Sequence, residues 1–345
     1  MAAELTPKTP AASPLQGASG LRPDSSPGAD SSKGLPASGL GPRGGSRSAW
    51  GGPAPTELGL AGRVVPVLAV LLGLGVVWYL AAIWLNAPQV IERVFEGRPE
   101  WGWRELVAST WSMDRPVLPA PHQIALDMFH SVADWPPDSP RSLLFHTGVT
   151  SGATLLGFAL GSLLGAVLAV AIVLLPTLER ALFPWIIASQ TVPVLAIAPI
   201  IIVILGSFNL TGLLPKALIS MYLCFFPVVV AMVKGLRSPG VFERELMHTY
   251  AASKSQTFWK LRMPASLPFL FPSLRVAIAA GLVGAIVGEL PTGAQAGLGA
   301  RLLTGSYYGN TVQIWSALVM AALLGLALTS CVSLAERVVV VRGKQ

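Results

Sequence analysis

Charged residues are scarce in this chain of 345 residues: Asp, Glu, Lys and Arg make up 12% of it, whereas apolar residues make up 52%. Soluble globular domains carry about 25% charged residues. The composition therefore excludes that class and indicates an integral membrane protein. The net charge of +7 does not predict nucleic-acid binding, because the basic residues follow the ends of apolar runs and form no single patch.

Cysteine is also scarce, and the motifs of catalytic and metal centres are missing. Cys224 and Cys331 both lie inside apolar segments, so we interpret them as buried apolar residues that form neither a disulfide nor a catalytic thiol. The four histidines are scattered, and no metal-ligand cluster or Ser-His-Asp set is suggested by spacing. The phosphate-binding loop G-x-x-x-x-G-K-S/T is absent. We therefore expect no enzyme, and no metal, ATP or other cofactor bound by this chain.

The N-terminal segment is rich in residues that disfavour regular structure: the first 60 residues contain 9 Pro, 11 Gly and 9 Ser. Such a segment buries too little apolar surface to offset its ordering entropy. Residues 1–63 are therefore predicted to be a disordered cytoplasmic tail. No apolar run follows the start methionine, so the tail is not a cleavable signal peptide.

Six long apolar runs make up about half of the remaining chain. The first is predicted to form a transmembrane helix over 64–86, since its apolar run Val64–Leu85 has 22 residues and as a helix measures about 33 Å, enough to cross a bilayer core. A polar segment follows over 87–149, a membrane core over 150–338 holds five further spans, and 339–345 form a cytoplasmic tail. The sequence thus predicts an all-α, polytopic fold with about six transmembrane helices. The later runs cover 150–175, 183–206, 214–235, 268–290 and 312–335.

Lys and Arg are distributed unevenly between the two sides of these runs. If the N-terminus lies inside, 16 of the 24 basic residues fall in inner segments, 7 in outer segments, and Arg275 lies within a span. Cytoplasmic loops carry the excess of basic residues, so both termini are predicted to be cytoplasmic. The segment over 87–149 is then extracytoplasmic, and in it Leu118-Pro119-Ala120-Pro121 leads into an amphipathic helix predicted over 122–132.

Pro193 and Pro199 lie in the middle of the third run, just after three polar residues. Each proline removes a backbone donor and pushes against the preceding helical turn. The carbonyls freed in this way need protein or water partners at bilayer depth, so a broken helix is expected beside a cavity. We interpret the break as part of a solute pathway, with a kinked packing helix as the alternative. The pathway residues predicted here are Ser189, Gln190, Thr191, Pro193 and Pro199.

Glu289 lies near the outer end of the fifth span, where the sequence Gly297-Leu298-Gly299 follows it. An acid at membrane depth is costly, which makes Glu289 a further candidate for the pathway or a gate. The alternative is a side chain that extends into water at the outer interface.

Glycines recur at intervals of four residues in two of the runs. Neighbouring helix backbones approach closely where side chains are absent, so we expect both glycine series to form helix-packing seams. They are Gly157, Gly161 and Gly165 in the second run and Gly284 and Gly288 in the fifth.

The longest polar stretch in the second half of the chain, 238–264, lies between two apolar runs. Residues 241–249 contain no helix breaker, and Ser253 with Gln256 matches a capping box. The stretch therefore predicts two short helices joined by a sharp corner, the second ending before Pro264.

The second of these helices carries an apolar ridge, because Ser255, Phe258 and Leu261 share one helical face. We expect Phe258 and Leu261 to contact a cytoplasmic partner, while Glu245 fixes the corner or pairs with a basic group. The alternative is an ordinary amphipathic loop.

This stretch resembles the cytoplasmic EAA loop of binding-protein-dependent ABC transporter permeases, in particular those of the nitrate, sulfonate and taurine type, which includes pyrimidine-precursor importers. It departs from the family motif at Leu246 and Met247, which replace two alanines, and at Ala251, which replaces a glycine. A left-handed corner costs an alanine about 1–2 kcal/mol, so the corner is either strained or differently shaped. The ATPase-coupling residues that the resemblance implies are Glu245, Tyr250, Ala251, Ala252, Ser253, Gln256, Phe258, Leu261 and Pro264.

The resemblance covers about residues 115–337 and implies the core of a type I ABC importer in a bacterial inner membrane. It further implies a homodimer of permease chains, an ATP-binding subunit that hydrolyses Mg-ATP, and an extracytoplasmic solute-binding protein that delivers a small sulfonate-, nitrate-, taurine- or pyrimidine-like solute. A stand-alone secondary transporter or channel is the alternative, although neither mid-span coupling residues nor a paired half-repeat are visible.

Overall fold

The computed structural model describes residues 60–97, 100–291 and 295–342, and every regular element among them is a helix. Of the predicted tail over 1–63, residues 1–59 lie outside the described residues, and residues 60–63 belong to the first helix. The helices are α1 (Leu60–Arg93), α2 (Trp103–Trp111), α3 (Pro121–Ala133), α4 (Leu143–Leu174), α5 (Pro176–Ser189), α6 (Val194–Ser207), α7 (Leu213–Leu236), α8 (Val241–Thr249), α9 (Lys254–Thr257), a π-helical turn (Phe258–Arg262), α10 (Met263–Glu289), α11 (Leu298–Tyr307) and α12 (Thr311–Arg342).

Five helices of the described chain are long and apolar enough to cross a membrane, and the bent pair α5 and α6 adds a sixth candidate. The predicted all-α, polytopic fold is confirmed. Some bounds differ from the prediction. The helix α4 begins at Leu143 rather than at 150, because Ser142 caps it by accepting a hydrogen bond from Leu144 N at 3.2 Å. The helix α12 continues to Arg342, so the predicted tail over 339–345 is helical up to that residue.

The helix α7 is the centre of the bundle, and the glycines of α4 form a seam against it. A Cβ added to Gly161 would lie 2.5 Å from Cβ of Cys224, and one added to Gly165 would lie 2.7 Å from the carbonyl oxygen of Phe225. Gly157 meets the same helix at Ser220. No side chain fits at these positions without moving the two helices apart.

The glycines of α10 face another side of α7. A Cβ on Gly284 would lie 2.9 Å from Cα of Ser220, and one on Gly288 would lie 3.2 Å from Cα of Lys216. The helix α7 is therefore enclosed between α4 and α10, which explains why more than half of its residues are buried.

The structure corrects one statement about the cysteines. Cys224 is buried in the apolar core, as expected, whereas Cys331 is exposed on the surface of α12. An apolar segment does not reveal which of its faces packs against the protein, and in a membrane span the outward face is apolar too.

The segment between α1 and α4 is organised by Asn86. Its amide oxygen accepts hydrogen bonds from Val117 N at 2.8 Å and Leu118 N at 3.1 Å, and its amide nitrogen donates to the carbonyl of Leu118 at 2.9 Å. The predicted amphipathic helix follows this turn as α3, close to its expected bounds. The short helix α2 was not predicted. A fully buried, fully paired amide thus fixes the start of α3 against α1.

Candidate functional site

The polar stretch folds as two helices, α8 and α9, joined by a sharp turn at Ala251. Ala251 has φ +48°, so the turn is left-handed and strained, which was the first of the two alternatives, and it is not differently shaped. The capping box is formed: Gln256 N donates to Ser253 Oγ at 3.2 Å, and Ser253 N donates to Gln256 Oε1 at 2.8 Å. We call residues 241–257 the corner.

The predicted end of the second helix before Pro264 is wrong. The helix continues through the π-turn into α10, and Met263 N donates to the carbonyl of Phe258 across the wider turn. Pro264 therefore lies in the first turn of α10, where its missing N–H and its ring are tolerated.

The structure also corrects the role expected of Phe258. This side chain is only 9% exposed and belongs to the core cluster that contains Ile186 and Met232. It packs inside the chain, and Leu261 is half-buried. The surface that remains for a partner consists of other side chains, of which Phe242 and Tyr250 are both 76% exposed.

Glu245 is exposed on α8 and forms no ion pair among the described residues. Its backbone carbonyl accepts a hydrogen bond from Thr249 Oγ1 at 3.0 Å. Within the corner, Ala252 is half-buried, and Trp259, which follows the corner, is 62% exposed. An exposed carboxylate with exposed aromatic neighbours is available to a partner.

The base of the corner is held firmly at the α7–α10 junction. A Cβ on Gly235 would lie 2.8 Å from Cα of Ser266, so the two helices are in direct contact there. Arg237, which follows α7, donates to both carboxylate oxygens of Glu179 in the first turn of α5. The corner is therefore connected to the bent pair by a charged contact.

The break between α5 and α6 contains four of the six predicted pathway residues, Ser189, Gln190, Thr191 and Pro193. The two helices meet at 101° over the residues between Ser189 and Val194. Pro193 caps α6, and Pro199 lies farther along inside it. Tyr222 of α7, which sequence reasoning missed, donates to the carbonyl of Ser189.

The polar groups at the break partly satisfy their own helix. Ser189 Oγ donates to the carbonyl of Ile186 at 2.7 Å, and Thr191 Oγ1 donates to that of Ala188 at 2.8 Å. Gln190 remains exposed on the single chain, and among the described residues its side-chain amide donates only to Ser189 Oγ, at 3.3 Å.

Glu289 is fully buried at the end of the bundle opposite the corner, so its extension into water is excluded. Its carboxylate accepts hydrogen bonds from Thr150 Oγ1 at 2.9 and 3.0 Å and from Gly299 N at 2.8 Å. Lys216 Nζ lies 3.5 Å from Oε1. None of these partners belongs to the α5–α6 break. Glu289 therefore lies in a different site from the other predicted pathway residues.

Thr150, one of the partners of Glu289, and the nearby His146 also hold the loop before α11. Thr150 Oγ1 accepts from Leu298 N at 2.8 Å, and His146 Nδ1 accepts from Gly297 N at 3.0 Å. Since Nδ1 accepts, Nε2 carries the proton and donates to the carbonyl of Pro140 at 2.9 Å. Gly297 has φ +123°, and a Cβ there would fall on the carboxylate of Glu289, so glycine is required.

A cavity of about 660 Å³ lies beside this cluster. Its walls come from α4, the end of α6, the start of α7, the end of α10 and the loop before α11. The lining includes Gly148, Gly152, Leu213, Lys216, Gln295 and Ala296. The sequence singled out Glu289, but Lys216, Thr150 and His146 gave no signal, because each is distant along the chain and ordinary in its local pattern.

Comparison with known proteins agrees with these features. Residues 157–342 match the family model described as binding-protein-dependent transport system inner membrane component. The chain is 35% identical over 184 residues to the formylaminopyrimidine transport permease protein ThiX of Halalkalibacterium halodurans, covering 53% of this chain and 68% of that protein.

Two further relatives carry different names. The riboflavin transport system permease protein RibX of Chloroflexus aurantiacus is 35% identical over 47% of this chain and 59% of its own length. The putative aliphatic sulfonates transport permease protein SsuC of Bacillus subtilis is 25% identical over 70% of this chain and 88% of its own length.

Proposed function

This chain belongs to the family of binding-protein-dependent transport system inner membrane components, and from that premise we propose that its corner couples ATP hydrolysis on a separate subunit to solute movement. Its function is that of a membrane permease subunit of an importer for a small solute. Family membership decides between this function and that of a stand-alone secondary transporter or channel.

One observation carries the coupling proposal: the corner presents exposed aromatic side chains on a rigid base. Phe242 and Tyr250 of the corner are large, apolar and exposed, as is Trp259 directly after it, although all three lie in the longest polar stretch of this half of the chain. Aromatic anchors of this kind dominate the energy of protein interfaces. The capping box and the Gly235–Ser266 contact hold them in place.

The partners follow from the family. We propose that the corner binds an ATP-hydrolysing subunit, which carries the Mg-ATP site, and that an extracytoplasmic binding protein delivers the solute. The excess of basic residues supports an orientation with the corner and both ends of the chain in the cytoplasm.

A second copy of this chain completes the pathway in this proposal. Gln190 is exposed on the single chain at the break of a membrane-spanning pair. A polar amide facing hydrocarbon is costly, whereas one facing a cavity within protein is satisfied by water or solute. We therefore place the break at the contact with the second copy, where it lines a path for the solute.

The solute is proposed to be small and either pyrimidine-like or sulfonate-like, since relatives are named for both kinds. The residues that line the cavity beside Lys216 favour one of these two solute classes, as argued in the next section.

Co-purification and labelling test the proposal. The full chain, tagged and expressed with the ATP-hydrolysing subunit of its own transport system, is expected to retain that subunit. A cysteine at His248, in a chain without Cys224 and Cys331, is expected to react only from the cytoplasm, and one at the exposed Trp103 only from outside. If position 248 reacts from outside, the corner lies on the side of the membrane opposite the ATPase, and the proposal is refuted.

A further inference from the structure

The cavity beside Glu289 contains one buried cation with an unused hydrogen-bond donor. Lys216 is 7% exposed and its Nζ donates to the carbonyl of Ala296 at 2.6 Å. The distance of 3.5 Å from Nζ to Glu289 Oε1 is longer than an ordinary hydrogen bond. An ammonium has three protons, so at least one N–H remains for an acceptor in the cavity.

The charge of this cation is already balanced. Glu289 lies behind Lys216 with no exposure to solvent, and the two together carry no net charge. Lys216 is the single charged residue among the described residues that line the cavity. An anion bound to Nζ would therefore lie close to a buried carboxylate, and no second cation among the described lining residues offsets the repulsion, which is strong at low dielectric.

The remaining walls suit an uncharged ring. Most of the lining surface is apolar, and Leu213 and Pro215 contribute to it. A Cβ built on Gly148 would meet nothing within 4 Å, so the backbone of α4 leaves that side of the cavity open. Thr211 and Gln295 add further polar side chains to the lining. The volume of about 660 Å³ is in the range of small-molecule sites.

We propose that this cavity binds a neutral heterocycle bearing a carbonyl or ring-nitrogen acceptor, with Lys216 Nζ donating to that acceptor. This inference rests on the proposed transport function. It restricts the solute to the uncharged, heterocyclic class and excludes nitrate and sulfonates as ligands of this cavity. Glu289 and the carbonyl of Ala296 hold Lys216 in place, and the solute takes the N–H that these two groups leave unused.

Binding to the full chain in lipid nanodiscs tests this directly. Titration calorimetry with formylaminopyrimidine, ethanesulfonate and nitrate is expected to show binding of formylaminopyrimidine about tenfold or more tighter than binding of either anion. Gly148→Leu fills the cavity without touching Lys216 or Glu289 and is expected to weaken that binding about tenfold or more. Gly206→Leu is the matched control, because a Cβ at Gly206 also meets nothing within 4 Å, but this residue does not line the cavity.

Several results would overturn the assignment. These are the absence of formylaminopyrimidine binding, equal or tighter binding of ethanesulfonate or nitrate, and binding that Gly148→Leu leaves unchanged. Each leaves the transport function standing as long as the same chain retains its ATP-hydrolysing subunit, so failure of this inference is distinguishable from failure of the proposed function.

Discussion

Arg237 and Glu179 form a bidentate ion pair that joins the base of the corner to the bent pair α5 and α6. Nη1 lies 2.9 Å from Oε1, and Nη2 lies 2.7 Å from Oε2. The hydrogen bond from the guanidinium to this carboxylate raises the pKa of Arg237, so the guanidinium stays charged at physiological pH. Through this polar contact, a displacement of the corner would reach the bent pair α5 and α6.

Loss of this pair is expected to reduce coupling more than stability. Both side chains are partly exposed, and such pairs contribute little to folding stability. Arg237→Met should therefore leave the melting temperature nearly unchanged, while less solute is transported per ATP hydrolysed in proteoliposomes. Arg180→Met removes a neighbouring exposed cation that forms no ion pair among the described residues, and it should have no such effect. Equal transport per ATP in the two variants would show that the pair does not couple.

Ala251→Gly is expected to stabilise the chain. At φ +48° an alanine bears strain that glycine does not, worth about 1–2 kcal/mol, of which the greater flexibility of unfolded glycine cancels a part. The measurement is the thermal unfolding of the detergent-solubilised protein. Ala252→Gly, at a neighbouring position without a positive φ, should be neutral or destabilising. A lower melting temperature for Ala251→Gly than for Ala252→Gly would contradict the strained corner.

Lys216 and Glu289 are expected to depend on each other. Removing one partner leaves the other charge buried without compensation, at a cost of about 3–5 kcal/mol. Lys216→Met combined with Glu289→Met should therefore cost less than the sum of the two single variants, as measured by unfolding in a double-mutant cycle. Additive effects would mean that the two charges do not interact.

The glycine seam predicts a strong effect of side-chain size on α4. Gly161→Leu forces α4 away from Cys224 of α7 and is expected to lower stability by about 1–3 kcal/mol or more. Gly73→Leu on α1 is the control, since a Cβ at Gly73 meets nothing within 4 Å. Thermal unfolding of the two variants side by side distinguishes a packed glycine from an open one.

The sequence was sufficient for the features that local chemistry decides. The capping box at Ser253 and Gln256, the apolar spans and the break near Pro193 all depend on residues close together in the chain. The departure from glycine at Ala251 likewise indicated a strained corner as one of two alternatives. These features follow from periodicity, capping and backbone sterics alone.

Other features depend on contacts that no local pattern contains. Helical spacing placed Phe258 on an apolar face, but only the packing of α7 shows that this face points inward. Pro264 is a helix breaker by rule, and the π-turn that admits it has no sequence signature. Glu289 was visible as a rare acid, whereas its partners Thr150 and Lys216 come from two other helices.

The affinity between this chain and its ATP-hydrolysing subunit tests the central claim most directly. Tyr250 is 76% exposed at the corner, and truncation of such an aromatic anchor costs about 2 kcal/mol, or roughly thirtyfold in Kd. Tyr250→Ser should therefore weaken binding of the purified ATPase subunit to the chain in nanodiscs by that factor. Trp103→Ser, which changes an equally exposed aromatic of α2, should leave Kd unchanged. An unchanged Kd for Tyr250→Ser, or an equal loss in both variants, would contradict the claim that the corner docks the ATPase.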